Sequence, residues 1–160
     1  MQTKVIFAAV LLLIIPAWAQ KDVPYGWHPV RQAELAPGAD KDVLVHADFD
    51  GDGSPDTAQI LADDAGRAMG IFAYLTSTSR WMKLDSDRPN EFKAERVAVV
   101  PAGSYQIACG NNASGADCAG GASDQLVLKL PGIELFSPAQ RRLFYWDAAT
   151  KSFKDAVLRR

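Results

Sequence analysis

The chain has 160 residues, 17 basic and 19 acidic side chains and a formal net charge of -2. Its basic residues are scattered apart from Arg141-Arg142 and Arg159-Arg160, which excludes a nucleic-acid surface and leaves those two pairs reading as solvated surface with no assigned role. Two cysteines, Cys109 and Cys118, are the whole thiol inventory, and with His28 and His46 as the only histidines a zinc centre is barely affordable.

Residues 1–19 read as a cleaved signal peptide. Lys4 precedes an uncharged run over residues 5–15, Pro16 breaks it, and Ala17-Trp18-Ala19 supplies a small-residue cleavage pattern. Eleven apolar residues fall short of the roughly 20 that span a bilayer as a helix, so no membrane span is expected after cleavage. The expectation is an exported protein, periplasmic or extracellular, whose residues 20–160 form a single domain. The 141 residues left are enough for one core and short for two.

Beyond the leader, short apolar or alternating runs separated by turn chemistry predict a mainly β, antiparallel domain, a sandwich or a curved sheet, with little helix. Residues 30–35 suit a short turn or helix before Pro37-Gly38. Strands are expected over 43–47 and 57–61, flanking an acidic loop, and Asp63-Asp64 before Gly66 reads as an exposed turn. A hairpin follows over 70–76 and 80–84, around Ser77-Thr78-Ser79. Strands at 97–100 and 104–109 are divided by Pro101-Ala102-Gly103, and strands at 125–130 and 133–136 by Pro131-Gly132. Residues 142–146 and 152–158 predict a closing hairpin, in which Phe144, Tyr145 and Trp146 alternate between faces and serve packing.

Cys109 and Cys118 bracket a polar, glycine-bearing stretch and, in an oxidising compartment, are expected to form a disulfide. Closing so short a loop stabilises a fold by roughly 2 to 3 kcal/mol in the chain-entropy estimate.

The segment that carries chemistry is Asp48-Phe49-Asp50-Gly51-Asp52-Gly53-Ser54-Pro55-Asp56, with carboxylates at loop positions 1, 3, 5 and 9 and glycine at position 6. Calcium is a hard cation that takes six to eight oxygens at about 2.3–2.6 Å, and alternate residues of a tightly wound loop can aim their side chains at one point. The expected ligands are the Asp48, Asp50, Asp52 and Asp56 carboxylates and the Ser54 carbonyl, with Asp56 acting directly or through water. An EF-hand begins in the same way but needs a glutamate at its twelfth position, where this chain has Gln59, and two helices where this chain has strand patterns. Magnesium is disfavoured because it demands a tight octahedron and keeps its waters. A solvated acidic turn is the plain alternative, yet four converging carboxylates repel by roughly 1 to 4 kcal/mol per pair.

Set between two strand patterns, this loop resembles the calcium loop of FG-GAP or VCBS-type repeats, found in integrin-like propellers and in bacterial exported proteins. The resemblance spans residues 43–61 and implies calcium held by Asp48, Asp50, Asp52, Asp56 and the carbonyl of Ser54. There is no second copy of the loop, and a propeller needs at least four blades of roughly 40 residues, so a propeller is not expected. The chain as a whole also resembles small exported bacterial proteins that pair one such loop with a Tyr-Trp-Asp ending, here Tyr145-Trp146-Asp147.

Three roles remain open to the residues. The leading expectation is a non-enzymatic, calcium-braced β-domain that binds a protein or an envelope component. The second is a periplasmic inhibitor or immunity-type protein directed against a secreted hydrolase. The third is a calcium-dependent hydrolase, which the sequence disfavours because it holds neither a Gly-x-Ser-x-Gly elbow nor a metalloprotease helix. His46, two residues before Asp48, and His28, beside Trp27, read as ordinary satisfied or exposed histidines.

Overall fold

The computed structural model describes residues 22–35, 43–89, 92, 96–108, 125–137 and 140–159. The expected signal peptide at 1–19 and the expected Cys109–Cys118 disulfide lie outside the described residues. Among those described, the regular secondary structure is nearly all strand, every pairing is antiparallel, and the only helical element is a 3-10 turn at Gln32–Glu34. The mainly β reading therefore holds, and the short turn falls inside the 30–35 stretch.

The first sheet contains β1 (Trp27–Pro29), β2 (Leu44–Ala47), β3 (Asp56–Asp63), β4 (Met69–Leu75) and β5 (Arg80–Asp87). β3, β4 and β5 form a meander, while β1 and β2 lie end to end along the free edge of β3. β2 covers Asp56 to Gln59 and β1 covers Leu61 to Asp63. Between them the Ile60 N–H donates to the carbonyl of Val43 at 2.9 Å. The Met69–Leu75 run lacks strict alternation because the strand is covered on both faces.

The chain continues through β6 (Arg96–Val100), a ribbon of β7 (Gly103–Gln106) and β8 (Gln125–Leu128), then β9 (Gly132–Phe136), β10 (Arg141–Asp147) and β11 (Ser152–Leu158). The second sheet has the order β11-β10-β9-β6, so β9 returns to pair with β6 after the ribbon. The ribbon is pinned to β11, where the Ala108 N–H donates to Val157 at 2.7 Å and the Arg159 N–H donates to Gln106 at 3.0 Å.

Side-chain alternation sets the layers. Ala58, Ile60, Ala62, Met69, Ile71 and Ala73 from the first sheet pack on Val97, Ile133, Leu135 and Phe144 from the second. The opposite face of the second sheet, with Leu143, Ala156 and Leu158, packs on Ile107 and Leu128 of the ribbon side. Each large side chain so buried contributes about 1.5–3 kcal/mol. The predicted alternation of Phe144 and Tyr145 is thus resolved, Phe144 in the inter-sheet core and Tyr145 against the ribbon cluster. Trp146 packs edge-on against Phe153 at 5.3 Å.

Arg141 and Arg142, expected to be solvated surface, are structural. Arg141 forms a two-pronged ion pair with Glu134, a nearly buried carboxylate that needs a cation to offset its desolvation. Arg142 joins Asp85 of the first sheet to Asp155 of β11, the latter at 3.1 Å, and so ties the two sheets together. Neither role is visible in a sequence because the partners lie on other strands.

Candidate functional site

Ala47 and Asp56 are register partners, so residues 48–55 form a loop that leaves β2 and returns directly into β3. Phe49 is fully buried and anchors the loop to the inter-sheet core. Around that anchor the carboxylates wind the backbone by accepting its N–H groups. Asp48 accepts from Gly51 at 2.7 Å, Asp52 at 3.1 Å and Gly53 at 2.9 Å. Asp50 accepts from Asp52 at 3.2 Å, and Asp52 accepts from Ser54 at 2.6 Å. Gly51 and Gly53 take φ values of 81° and 86°, where a side chain is strained. That explains the Asp-Gly-Asp-Gly alternation: every second residue turns the chain and the residues between hold it.

Asp56 is the buried pivot. It has no exposed surface, and its two oxygens accept the Phe49 N–H at 2.9 Å and the Thr76 N–H at 2.8 Å. Burial pushes its pKa up, the Thr76 and Phe49 amides pull it down, and the Asp50 charge pushes it up again, for a net upward shift. The turn between β4 and β5 completes the site. The Thr76 hydroxyl donates to the Pro55 carbonyl at 2.8 Å, and the Ser77 hydroxyl donates to Asp50. Sequence reasoning missed both residues, because they stand more than twenty positions away and Ser or Thr in a hairpin tip is ordinary turn chemistry.

Of the expected ligands, Asp48, Asp50 and Asp56 are brought together, each offering an oxygen within 4.8 Å of the others. Asp52 stands outside that trio, exposed and turned to the Ser54 amide, and Ser54 enters the described bonding through that N–H. Oxygens bound to one calcium at about 2.3–2.6 Å lie at most about 5 Å apart, so the trio matches a single coordination sphere. The donors are all oxygen, and each carboxylate keeps at least one oxygen with a lone pair beyond those given to backbone amides, Oδ2 in the case of Asp48. Asp48, Asp50 and Asp56 could therefore hold a metal ion. His46 takes no part, its Nδ1 lying 3.1 Å from the Thr57 hydroxyl.

A second polar cluster occupies the other end of β3. His28 sits with Nδ1 at 2.8 Å from Asp64 and Nε2 at 3.1 Å from Glu34, whose other oxygen accepts the Arg31 N–H at 2.8 Å. Its bonds to Glu34 and then Asp64 raise the His28 pKa above 6.5. The Arg31 amide, foremost, lowers that of Glu34. Asp63 accepts the Ala65 N–H at 2.8 Å and pairs with Arg67 at 3.2 Å, and its pKa is lowered, chiefly by that amide. His28, read from sequence as unremarkable, is a junction between segments that are 36 residues apart. An open cleft of about 560 Å³ lies beside it, lined by Tyr25, Gly26, Trp27 and residues of the turn after β3.

Compared with known proteins, the chain matches no family model, no curated protein and no solved structure. Fold and site together define a mainly β, antiparallel chain with a trio of aspartates suited to a metal ion. Among the described residues no helix is long and apolar enough to cross a membrane.

Proposed function

We propose that this chain is an exported, non-enzymatic β-domain in which calcium braces the β2–loop–β3 unit, and that the braced domain binds a protein or an envelope component. The observation that carries the metal reading is the convergence of Asp48, Asp50 and Asp56 within 4.8 Å at the mouth of a loop wound by its own carboxylates. Calcium is favoured over softer metals because every donor is an oxygen, and over magnesium because three carboxylates converge where magnesium keeps several waters and takes one or two carboxylates. An affinity near 10⁻⁵ to 10⁻³ M, about that of extracellular modules, follows from the absence of a bidentate glutamate at position 59. The FG-GAP or VCBS-type resemblance of residues 43–61 supports the same assignment. The leader pattern at residues 1–19 supports export, to a compartment where calcium is available at such concentrations.

The role of the ion on this reading is structural. It would neutralise the trio and fix the loop against residues 76 and 77, so that two hairpins present one rigid rim. The test is calorimetric titration with calcium chloride alongside melting in calcium and in chelator. A saturable heat and a raised midpoint, both lost in Asp50→Asn, are expected. No heat together with an unchanged midpoint removes the metal from the proposal. Capture of a stoichiometric envelope partner by the calcium-loaded protein, reversed by chelator, tests the binding role separately.

A further inference from the structure

We propose that His28 is a pH-operated clasp: as imidazolium it fastens the segment carrying β1 and the 3-10 turn to the turn after β3, and on losing its proton it lets that segment go. The argument starts from donors and acceptors. Both ring nitrogens of His28 face carboxylate oxygens, Asp64 at 2.8 Å and Glu34 at 3.1 Å. An ionised carboxylate only accepts, while a neutral imidazole has one N–H and one lone pair. Deprotonation therefore removes one of the two bonds and aims a lone pair at an anion. Only the imidazolium satisfies both partners.

The two carboxylates belong to different parts of the chain. Glu34 lies in the same segment as His28 and is oriented by the Arg31 N–H, whereas Asp64 lies in the turn after β3. The other charges near the ring are Arg31, which opposes protonation, and Asp63, which is paired with Arg67. The strand ladder that holds the segment is short. β1 matches β3 over three residue pairs, one of them at Pro29, which has no N–H to give. Further ties are the Asp64 N–H to Gly26 at 3.0 Å, the Trp27 ring on Phe72 at 4.6 Å, the Trp81 N–H to the Asp22 carbonyl at 2.8 Å and the packing of Val30 and Leu35 on the inter-sheet core. A clasp at this point adds to these ties where the segment covers the Leu61 to Asp63 edge of β3.

The direction of the pH effect follows from the two shifts. The His28 pKa is raised in the folded protein, so its contribution is complete below its unfolded value of 6.5 and is lost as pH rises through the folded value. The Glu34 pKa is lowered, so its contribution is present above 4.5 and is lost as pH falls through its own folded value. The clasp is closed in mildly acidic solution and opens on the alkaline side.

Two histidines make the test direct. In the ¹⁵N-labelled protein, with His46→Gln assigning the resonances, His28 should titrate above 6.5, and Glu34→Gln and Asp64→Asn should each lower that midpoint. The Asp64 amide, bonded to Gly26, should lose hydrogen-exchange protection, after correction for intrinsic rates, as pH passes the His28 midpoint. The loss should be roughly tenfold for each pH unit by which that midpoint exceeds 6.5. In His28→Gln the same protection should no longer depend on pH in that range. Should that variant fail to fold, Glu34→Gln carries the test, since it alters a partner and leaves the ring in place. A His28 midpoint at or below 6.5, or Asp64 protection that does not change across the titration, overturns the proposal.

Discussion

At the Asp56 end of β3 three carboxylates, Asp48, Asp50 and Asp56, lie within 4.8 Å of one another, and every described hydrogen bond they accept comes from a backbone N–H or the Ser77 hydroxyl. At the Asp63 end three more, Asp63, Asp64 and Glu34, are met by the Arg67 guanidinium and the His28 ring. The two ends of the strand thus carry one cluster whose charge is offset in part by cationic side chains, at most two against three carboxylates, and one whose charge is only solvated by dipoles. Backbone dipoles can orient a carboxylate, but they do not remove its repulsion for the next. At about 5 Å that repulsion is roughly 1 to 3 kcal/mol per pair for effective dielectrics between 80 and 20. The uncompensated end is the one with a place for a cation from solution.

The strongest way to break this contrast is to remove the pivot of each end. Asp56→Ala strips the acceptor from two amides, the buried Phe49 N–H and the part-buried Thr76 N–H, and should cost about 3 kcal/mol in urea unfolding with chelator present. Asp64→Ala removes a carboxylate whose side chain is 60% exposed and should cost under about 1 kcal/mol. Equal losses would mean that burial does not separate the two ends. Next in size is the metal itself. With free calcium a hundredfold above its dissociation constant, stability should rise by about 2.7 kcal/mol. Asp48→Asn should abolish that gain and Asp63→Asn should leave it intact. A gain that survives Asp48→Asn would place the ion elsewhere.

The loop was legible in the sequence because its pattern is local: alternate aspartates and glycines dictate their own turns, and the flanking strands show in 43–47 and 57–61. The hairpins at 70–76 with 80–84 and at 142–146 with 152–158 were legible for the same reason, two alternating runs across a short turn. What could not be read is whatever depends on distant pairing. Asp52 matches the ligand pattern as well as Asp50 does, yet only Asp50 is met by Ser77 and joins the trio. β1 is three residues long and owes its strand character to β3, more than thirty positions away. Arg141, Arg142 and His28 take their roles from carboxylates on other elements, and side-chain type alone does not announce that.

Two glycines of the loop refine the comparison at a finer scale. Both have positive φ, but a Cβ on Gly51 would stand 3.1 and 3.2 Å from the methyl groups of Leu130, whereas a Cβ on Gly53 would meet nothing within 4 Å. Gly53→Ala should cost about 1 kcal/mol from backbone strain alone. Gly51→Ala should cost more, about 2 kcal/mol, because Leu130 must also give way. Thermal unfolding in chelator and in calcium separates strain from lost metal binding: a difference between the two variants that appears only in calcium would assign it to the ion.

The smallest effect lies at the compensated end and asks what compensates it. Arg67 is 79% exposed, so Arg67→Ala should change stability by no more than about 0.5 kcal/mol. The reason is that Asp63 has a second partner in the Ala65 amide, which is the leading cause of its lowered pKa. Because that pKa is lowered, the contribution of Asp63 is present above its unfolded value of 3.8 and is lost as pH falls through the folded value. Carboxyl-carbon NMR should find Asp63 still titrating below 3.8 in Arg67→Ala, with only a partial return. A complete return would make Arg67, not the turn amide, the group that holds this carboxylate, and the two ends of β3 would then differ by charge pairing alone.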